Sequence, residues 1–560
     1  MLINLLIWLY LGVISFVVGF GAIRFLDRTH SYECAHPGSY LLAGIATLTV
    51  YSELFSIFYK VGLLANLVMC IVTLLIAILL RKPICAYLTK LKGTISISLW
   101  IIGIVLTCIF AYGSAHGYMH YDSDLYHAQS IRWIEEYGLV PGLGNLHSRF
   151  AYNSASFCLS ALFSFSFLGY QSYHACAGFL ALVVASFCVE LFRKRVYAAP
   201  TLADIARIVA VYYILNIFDE MVSPASDYFV VLMILAAFIL YLEVVLKYAG
   251  SESDRIDETE IIYPMVLLSL LGLVIVSIKV SGAFIVLLAV LPAILLIKSK
   301  ATRDIIRYII AGIVVVIPFL VRNVILSGYL VYPMAGIDIF NFDFKMSPEM
   351  VTYDAREVQT YGRCIAVEDY SKPISFWIGG WFKSLDKINK VCFIFAILAL
   401  FVVLGSLIYV LVRKRYKELA TLSVVLVCGV CFLYLMATSP NIRFACVFIW
   451  MLPAIGIGYL YLKVTSSFDK YKLFRLFLIV FIFYKSLMFS YELGSGFNPE
   501  YIVKVQDYGQ YEVSPISIDG IEFYVPTQGD QVGYAPFPSS PYANFELRGD
   551  ELKSGFKYKK

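Results

Sequence analysis

The chain has 560 residues, of which 60% are hydrophobic and 15% charged, and its formal net charge is +5. This excess of apolar side chains excludes a water-soluble globular domain, because one core cannot bury so much hydrocarbon, and it predicts a protein with many membrane spans. The small positive charge is typical of basic residues in cytoplasmic loops and does not indicate a nucleic-acid partner.

Apolar segments of membrane-crossing length recur along the chain, and each satisfies its backbone polar groups only as a helix. The first has no basic start and no small-residue cleavage site before Arg24, so we expect a retained span and not a signal peptide. The pattern predicts an all-α polytopic membrane protein with about 14 spans, at 2–23, 38–58, 61–80, 95–116, 172–192, 224–246, 262–278, 281–297, 304–326, 391–412, 418–437, 443–462 and 473–490, with a shorter one at 203–218.

Basic clusters between the spans mark the cytoplasmic side. One cluster, Arg193-Lys194-Arg195, conflicts with simple counting, because it would be external if both 152–168 and 172–192 crossed the membrane. We therefore expect 152–168, which is short and rich in serine, to lie at the outer interface as a juxtamembrane helix. The remaining clusters are Arg24 and Arg28; Arg81, Lys82, Lys90 and Lys92; Lys298, Lys300, Arg303 and Arg307; Arg413, Lys414, Arg415 and Lys417; and Lys470, Lys472 and Arg475.

This orientation places three regions outside the membrane: the first loop 117–171, a second loop 327–390, and the tail 491–560. The tail alternates at 518–526 and then carries closely spaced prolines, which predicts a small external appendage of strands and turns. Residues 1–94 form extra N-terminal helices and residues 391–490 the C-terminal spans. Most of the 12 cysteines lie in apolar spans, so we expect neither a disulfide framework nor a cysteine metal site.

Two aspartates, Asp122 and Asp124, directly follow the span at 95–116 and precede an amphipathic stretch at 123–137. We expect the stretch to lie on the membrane surface as a helix, which puts both carboxylates within reach of a lipid-borne substrate. One carboxylate would take the proton from an acceptor hydroxyl, while the other positions that hydroxyl or binds a cation. The alternative is that one aspartate only caps the helix.

Four of the seven histidines, His116, His120, His127 and His147, lie in or beside the same loop. Together with two aspartates they make a divalent-cation site chemically allowed. Their spacing matches no strong zinc signature, so we assign no metal ligand and keep the divalent cation as an alternative. We include His127 among the candidate substrate-binding residues.

Three cations interrupt apolar surroundings at the predicted outer boundary: Lys279, Arg322 and Arg443. A charge near hydrocarbon is costly and usually has a partner or a task, although each of them could simply extend toward the lipid head groups. Together they predict an anion site, and phosphate or pyrophosphate is its natural occupant.

Two further elements are predicted to face outward. The acidic turn with Asp219, Glu220 and Asp227 could face the first loop, or it could be a solvated turn. In the second loop, Trp377 and Trp381 indicate an interfacial aromatic helix, most simply a membrane anchor.

The order and sidedness of these motifs resemble the GT-C class of membrane glycosyltransferases, which take sugars from polyprenyl-phosphate donors. In that class an early span is followed by an external loop with a catalytic aspartate, an amphipathic helix, and a non-spanning helix ending in glycine. The matching stretch here is 121–169. Further matching motifs are the acidic turn near Asp227, Ser-Ile-Lys-Val-Ser-Gly around Lys279, Pro-Phe-Leu-Val-Arg-Asn around Arg322, and Ser-Pro-Asn-Ile-Arg ending at Arg443.

The resemblance covers about residues 95–460 and implies a GT-C-like module of seven helices at 95–326. The first loop lacks the Asp-Glu pair common in that class, so the base stays open between Asp122 and Asp124. The stretch 121–133 and the tail segments 526–530 and 547–549 also resemble a bacterial polytopic membrane-protein family whose activity is uncharacterised.

The resemblance implies an inverting glycosyltransferase of the bacterial cytoplasmic (inner) membrane, with its site on the periplasmic face. The donor would be a polyprenyl-phosphate-linked sugar held by Lys279, Arg322 and Arg443, and the acceptor a glycan or lipid-linked species in cell-envelope polysaccharide synthesis. The alternatives are a lipid-linked oligosaccharide polymerase, a flippase or transporter without catalysis, and a non-catalytic assembly protein. A transporter would favour inverted repeats, which the sequence lacks.

Overall fold

The structure is a computed structural model that describes residues 1–193, 200–250, 258–464 and 467–559. Lys194 and Arg195, part of the predicted cytoplasmic cluster at 193–195, lie outside the described residues. The helices are α1 (Leu2–Leu26), α2 (Pro37–Phe58), α3 (Leu63–Leu79), α4 (Arg81–Thr94), α5 (Ile97–Gly113), α6 (Ala128–Glu136), α7 (Leu143–Leu146), α8 (Ala155–Leu162), α9 (Cys176–Cys188), α10 (Glu190–Arg193), α11 (Leu202–Asn216), α12 (Ser226–Gly250), α13 (Tyr263–Ile278), α14 (Val290–Lys298), α15 (Thr302–Ser327), α16 (Pro348–Arg363), α17 (Ile374–Ser384), α18 (Lys387–Val412), α19 (Glu418–Ala437), α20 (Ile442–Val464) and α21 (Ser467–Ser495).

Within the described residues, ten helical segments are long and apolar enough to cross a membrane, and an eleventh results if the bent pair α3 and α4 counts as one span. The chain is therefore an α-helical, multi-pass membrane protein. The ten are α1, α2, α12, Glu260–Ile278, Val280–Lys298, α15, α18, α19, α20 and Lys472–Ser495.

This count is lower than the predicted total of about 14 spans. Three predicted spans correspond to shorter helices, because α5 has 17 residues, α9 has 13 and α11 has 15. A straight helix needs about 20 residues to cross the hydrocarbon core. The predicted segments 95–116 and 172–192 extend beyond α5 and α9, whereas the segment 203–218, which was predicted to be shorter, nearly coincides with α11.

The segment 152–168 contains only the eight-residue helix α8 and a 3-10 turn at Ser166–Leu168. Every residue of α8 is buried, and the helix packs against α2 and α6. We predicted a helix exposed at the lipid interface, and this part of the prediction was wrong. The apolar surface of α8 is covered by protein, since the first loop folds over the end of α2.

The tail contains four short strands, β1 (Val513–Ile518), β2 (Ile521–Pro526), β3 (Phe545–Leu547) and β4 (Phe556–Tyr558). They form two antiparallel pairs, β1 with β2 and β3 with β4. Isolated two-stranded pairs are marginally stable in water. Here phenylalanines from the strands form one hydrophobic cluster with Trp133 of α6, so the tail lies on the first loop.

This packing also changes the position of the amphipathic stretch at 123–137. It forms a π-helical turn, Ser123–His127, followed by α6, and most residues of α6 are buried. We expected a helix lying on the membrane surface, whereas the structure covers it with the tail. Gln129, for example, donates to the carbonyl oxygens of Gly533 and Pro536.

Candidate functional site

Asp122 and Arg443 form an ion pair between the first loop and the start of α20. Asp122 directly precedes the π-helical turn, and Arg443 lies in the first turn of α20. Both terminal nitrogens of Arg443, Nη1 and Nη2, donate to Asp122 Oδ2 at 3.0 Å. The guanidinium also contacts the His120 ring, and His120 Nδ1 lies 3.7 Å from Asp122 Oδ2. The ion pair of Asp122 and Arg443 joins residues that are 321 positions apart in the chain.

A second ion pair lies beside the first. Asp227 is in the first turn of α12, and Lys279 follows the last residue of α13 and donates to the Asp227 carboxylate. Lys279 Nζ is 4.6 Å from the ring centroid of Phe444, the residue after Arg443. The charges of both pairs act on His120. We call His120, Asp122, Asp227, Lys279 and Arg443 the acid–base cluster.

The charged partners determine the protonation of the cluster's loop residues. Burial alone would raise the pKa of Asp122, but the attractive charges around it, of which Arg443 is the largest, together hold that pKa below its ordinary value of 3.8. Burial and Arg443 both lower the pKa of His120 from its ordinary 6.5. At neutral pH the cluster therefore contains an ionised Asp122 beside an uncharged His120.

His127 lies on the buried side of the cluster. Its side chain is in hydrogen-bond distance of Ser123 Oγ, at 3.3 Å, and Ser123 Oγ in turn is 2.7 Å from Ser223 Oγ. Burial lowers the pKa of His127 to about 3, so its imidazole stays neutral. We infer that it packs the first loop against the turn before α12, since only 2% of its surface is exposed.

Asp124 faces away from the acid–base cluster. Its Oδ1 accepts from the backbone N–H of Gly509 and its Oδ2 from the hydroxyl of Tyr511, both at 3.0 Å. Burial raises the pKa of Asp124 despite these two donors. The predicted pair of aspartates is thus divided between the cluster and the tail.

Arg322 also lies apart from the cluster, in a buried position near the end of α15. Its Nε donates to Asn153 Oδ1 at 2.8 Å and its Nη1 to Ser56 Oγ. Its charge acts on Glu53 of α2, whose two carboxylate oxygens are buried without a hydrogen-bond partner. With only 3% of its surface exposed, Arg322 holds helices together and is not placed to bind a lipid head group.

The structure thus brings together five of the predicted site residues, Asp122, His127, Asp227, Lys279 and Arg443. Three of their side chains remain partly accessible, with 22% of Asp122, 25% of Lys279 and 31% of Arg443 exposed. Sequence reasoning placed His120 only in a loop with other histidines. Its position two residues before Asp122 was the available signal.

A second polar group joins the first loop to the second loop and was not predicted. Arg149 Nη2 donates to Glu357 Oε2 at 2.7 Å, and Asp354 accepts from the hydroxyls of Tyr152 and Tyr332. Tyr126 contacts both groups, because its ring centroid lies 4.4 Å from that of His127 and 6.1 Å from that of Tyr152. This group ties the first loop to α16 of the second loop.

Among the residues that the structure describes, no group of three or more His, Cys, Asp or Glu side chains is arranged to hold a metal ion. Two of the four loop histidines lie at the acid–base cluster, and the other two lie elsewhere. His147, for instance, is buried against Phe150 and Tyr542, and His116 packs on Tyr501.

The fold and this cluster define a multi-pass membrane protein with a partly open acid–base cluster at one end of its helix bundle. A family described as "Domain of unknown function (DUF8201)" matches residues 1–450, and the chain belongs to that family. No functionally curated protein matches the chain.

Proposed function

We propose that the chain is a membrane glycosyltransferase that moves a sugar from a polyprenyl-phosphate donor to a hydroxyl of an extracytoplasmic acceptor. The observation that carries this proposal is the arrangement at Asp122. In the described part of the chain, the hydrogen bonds from Arg443 to its carboxylate both end on Oδ2. Oδ1 is then available to an acceptor hydroxyl, within a cluster that also contains two cations. The resemblance to the GT-C class agrees with this assignment.

In the proposed reaction, Asp122 Oδ1 accepts the proton of the acceptor hydroxyl while that oxygen attacks the anomeric carbon of the donor sugar. Attack comes from the face opposite the phosphate and inverts the anomeric configuration. The bond between the anomeric carbon and the phosphate oxygen breaks, and its electron pair stays on the phosphate. Asp122 later loses the proton to water.

Lys279 and Arg443 would stabilise the departing phosphate. Each is paired with a carboxylate, but Lys279 has three N–H donors, and its hydrogen bond to Asp227 uses one of them. Charge that develops on the phosphate oxygen strengthens these contacts in the transition state, so donor binding and rate acceleration use the same cations. Arg322, which we first grouped with them, has no part in this scheme because it is buried elsewhere.

The proposed function requires the acid–base cluster to lie on the outer side of the membrane. The acid–base cluster lies where α12 and α20 begin and α13 ends, whereas the basic residues Arg24, Arg303 and Arg413 lie at or beside opposite helix ends. The positive-inside rule then assigns the basic end to the cytoplasm and the cluster to the periplasmic face of a bacterial inner membrane. The acceptor is a cell-envelope glycan or its lipid-linked precursor.

The test uses a strain that lacks the gene, which should accumulate a polyprenyl-linked sugar detectable by mass spectrometry of its lipids. Membrane vesicles from strains expressing the wild-type chain should cleave this lipid to polyprenyl phosphate and transfer its sugar. Vesicles with Asp122→Asn should not, whereas Asp219→Asn, an exposed aspartate outside the cluster, should behave as wild type. A flippase would move the lipid with its sugar–phosphate bond intact. Wild-type turnover by the Asp122→Asn variant would refute the mechanism.

A further inference from the structure

Two large apolar grooves lie beside each other at the basic end of the helix bundle, opposite the acid–base cluster. The first has a volume of about 920 Å³ and lies between α1, α2, α12, α13 and α15. The second, of about 830 Å³, lies between α1, α2, α3 and the start of α4. Both volumes are near the upper end of the range of roughly 300–1,000 Å³ for ligand pockets.

The grooves adjoin along one ridge, since Ala22 and Phe25 of α1 and Thr47 and Tyr51 of α2 line both of them. The walls open toward the surrounding hydrocarbon: Phe25 is 82% exposed and Leu79 is 79% exposed. Two apolar grooves that share a ridge fit a molecule with two hydrocarbon chains. A single helix or a single polyprenyl chain would fill only one of them.

Arginines line the end of each groove. Arg24 borders the second groove, and Arg303 and Arg307 border the first. Arg307 lies 4.0 Å from Asp304, which also pairs with Arg28. Among the described residues, by contrast, Arg24 and Arg303 have no carboxylate within ion-pair distance, and Arg24 Nε is buried without a hydrogen bond.

The nearby acidic groups each have a partner, although that of Asp304 is loose: it lies 3.8 Å from Arg28 and 4.0 Å from Arg307, and its Oδ1 accepts no hydrogen bond. Asp27 accepts from the Thr29 hydroxyl and from the backbone N–H of Tyr32, and Glu33 pairs with Lys90. Glu243, at the floor of the first groove, pairs with His36 and Arg207. The unpaired charge at the groove ends is therefore positive and suits a phosphodiester, which arginine binds through paired N–H donors.

We infer that the two grooves bind one diacyl phospholipid with an anionic head group, with one acyl chain in each groove and the phosphate near Arg24 and Arg303. Such a lipid would join the N-terminal helices α1–α3 to α13 and α15. This inference concerns the end of the bundle away from the acid–base cluster and does not depend on the proposed sugar transfer.

The test is lipid binding to the purified full-length chain in mild detergent, measured by native mass spectrometry. The probes are phosphatidylglycerol, phosphatidylethanolamine and undecaprenyl phosphate at equal concentrations. We expect one phosphatidylglycerol to bind about tenfold more tightly than phosphatidylethanolamine, since each basic residue near an anionic head group contributes a modest attraction. The double variant Arg24→Gln/Arg303→Gln should lose this preference. The control Arg413→Gln/Lys414→Gln, which removes two exposed cations from the end of α18 away from the grooves, should keep it.

Each result decides the inference. Equal binding of both phospholipids, or an unchanged preference in the double variant, would refute the role of the two arginines. Preferred binding of undecaprenyl phosphate would refute the assignment of one acyl chain to each groove. Loss of preference in the control variant as well would indicate a general charge effect and would also overturn the site. Thermal unfolding of both double variants verifies that they remain folded.

Discussion

The face of the first loop that carries Asp122 differs from the face that carries Asp124, although one residue separates them. Asp122 pairs with the charged Arg443, and its pKa is lowered, whereas Asp124 accepts from neutral donors of the tail, and its pKa is raised. Under the proposed function, Asp122 has a chemical role on one face and Asp124 a structural role on the other. What distinguishes the two carboxylates is the charge of their partners, which come from distant parts of the chain.

The largest expected effect separates the two faces directly. Asp122→Asn should lower the rate of sugar transfer by roughly 10²–10⁴, the usual contribution of a general base, while Asp124→Asn should change it less than about tenfold. Transfer in membrane vesicles, normalised to the amount of inserted protein, measures both. Loss of activity in Asp124→Asn, with activity retained in Asp122→Asn, would contradict the assignment of Asp122 as the base.

The second effect concerns how the tail holds the Asp124 face. Trp133 is fully buried and contacts Phe537 and Phe556 of the tail, with ring centroids 4.8 and 5.7 Å away. Trp133→Ala should weaken the docking of the tail by about 3–5 kcal/mol, the cost of removing a buried aromatic side chain. Limited proteolysis of the tail measures the change, and the half-exposed Trp100→Ala is the control. A tail as protected as in wild type would contradict this packing.

The sequence predicted the membrane helices well where apolar runs end at charged residues. The predicted span 418–437 coincides with α19, and 391–412 ends with α18. The predicted bounds were less accurate where apolar residues continue into loops, as around α9, and the prediction of a lipid-exposed helix was wrong for α8, which is covered by protein. Hydropathy reports the preference of a segment for an apolar environment, and it does not distinguish lipid from a protein interior.

The candidate site was predictable by residue type but not by pairing. Charged residues in apolar surroundings identified Lys279 and Arg443, because such charges are costly without a partner. The same rule also selected Arg322, whose partners Ser56 and Asn153 are far away in the sequence. Asp122 was identified by its position between a span and an amphipathic stretch, and Asp227 by its place in an acidic turn. Which cation meets which carboxylate depends on contacts over hundreds of residues, and no local pattern encodes them.

The third effect tests the charged partner of Asp122. Arg443→Gln should lower the rate about 10²–10³-fold through lost stabilisation of the phosphate. It should also move the acidic limb of the pH–rate profile. In the wild type the pKa of Asp122 lies below 3.8, so the base stays ionised at every pH above that value. Without Arg443 burial dominates, the pKa rises, and activity is lost at a higher pH.

The control for this experiment is Arg548→Gln, which removes a tail arginine paired with Asp343 far from the cluster. Its pH–rate profile should match the wild type. Arg443→Lys keeps the positive charge and should place the acidic limb between the other two profiles. An acidic limb that stays in place in Arg443→Gln would mean that another group is the base.

The smallest expected effect concerns the hydrogen bond from Tyr511 to Asp124. Tyr511→Phe should weaken tail docking by about 1 kcal/mol at neutral pH, the usual net value of one hydrogen bond.

The effect should depend on pH. Because the pKa of Asp124 is raised in the folded chain, protonation of Asp124 favours docking of the tail, and docking loses stability as pH rises from 3.8 through the folded pKa. The Tyr511 hydroxyl stabilises the ionised carboxylate, so the cost of its removal should shrink as Asp124 becomes protonated. Proteolysis rates of the tail measured across this range test the trend, with the exposed Tyr558→Phe as the control. A cost that is independent of pH would show that Tyr511 acts by packing alone, and the contrast between the two aspartates would then depend on Asp122.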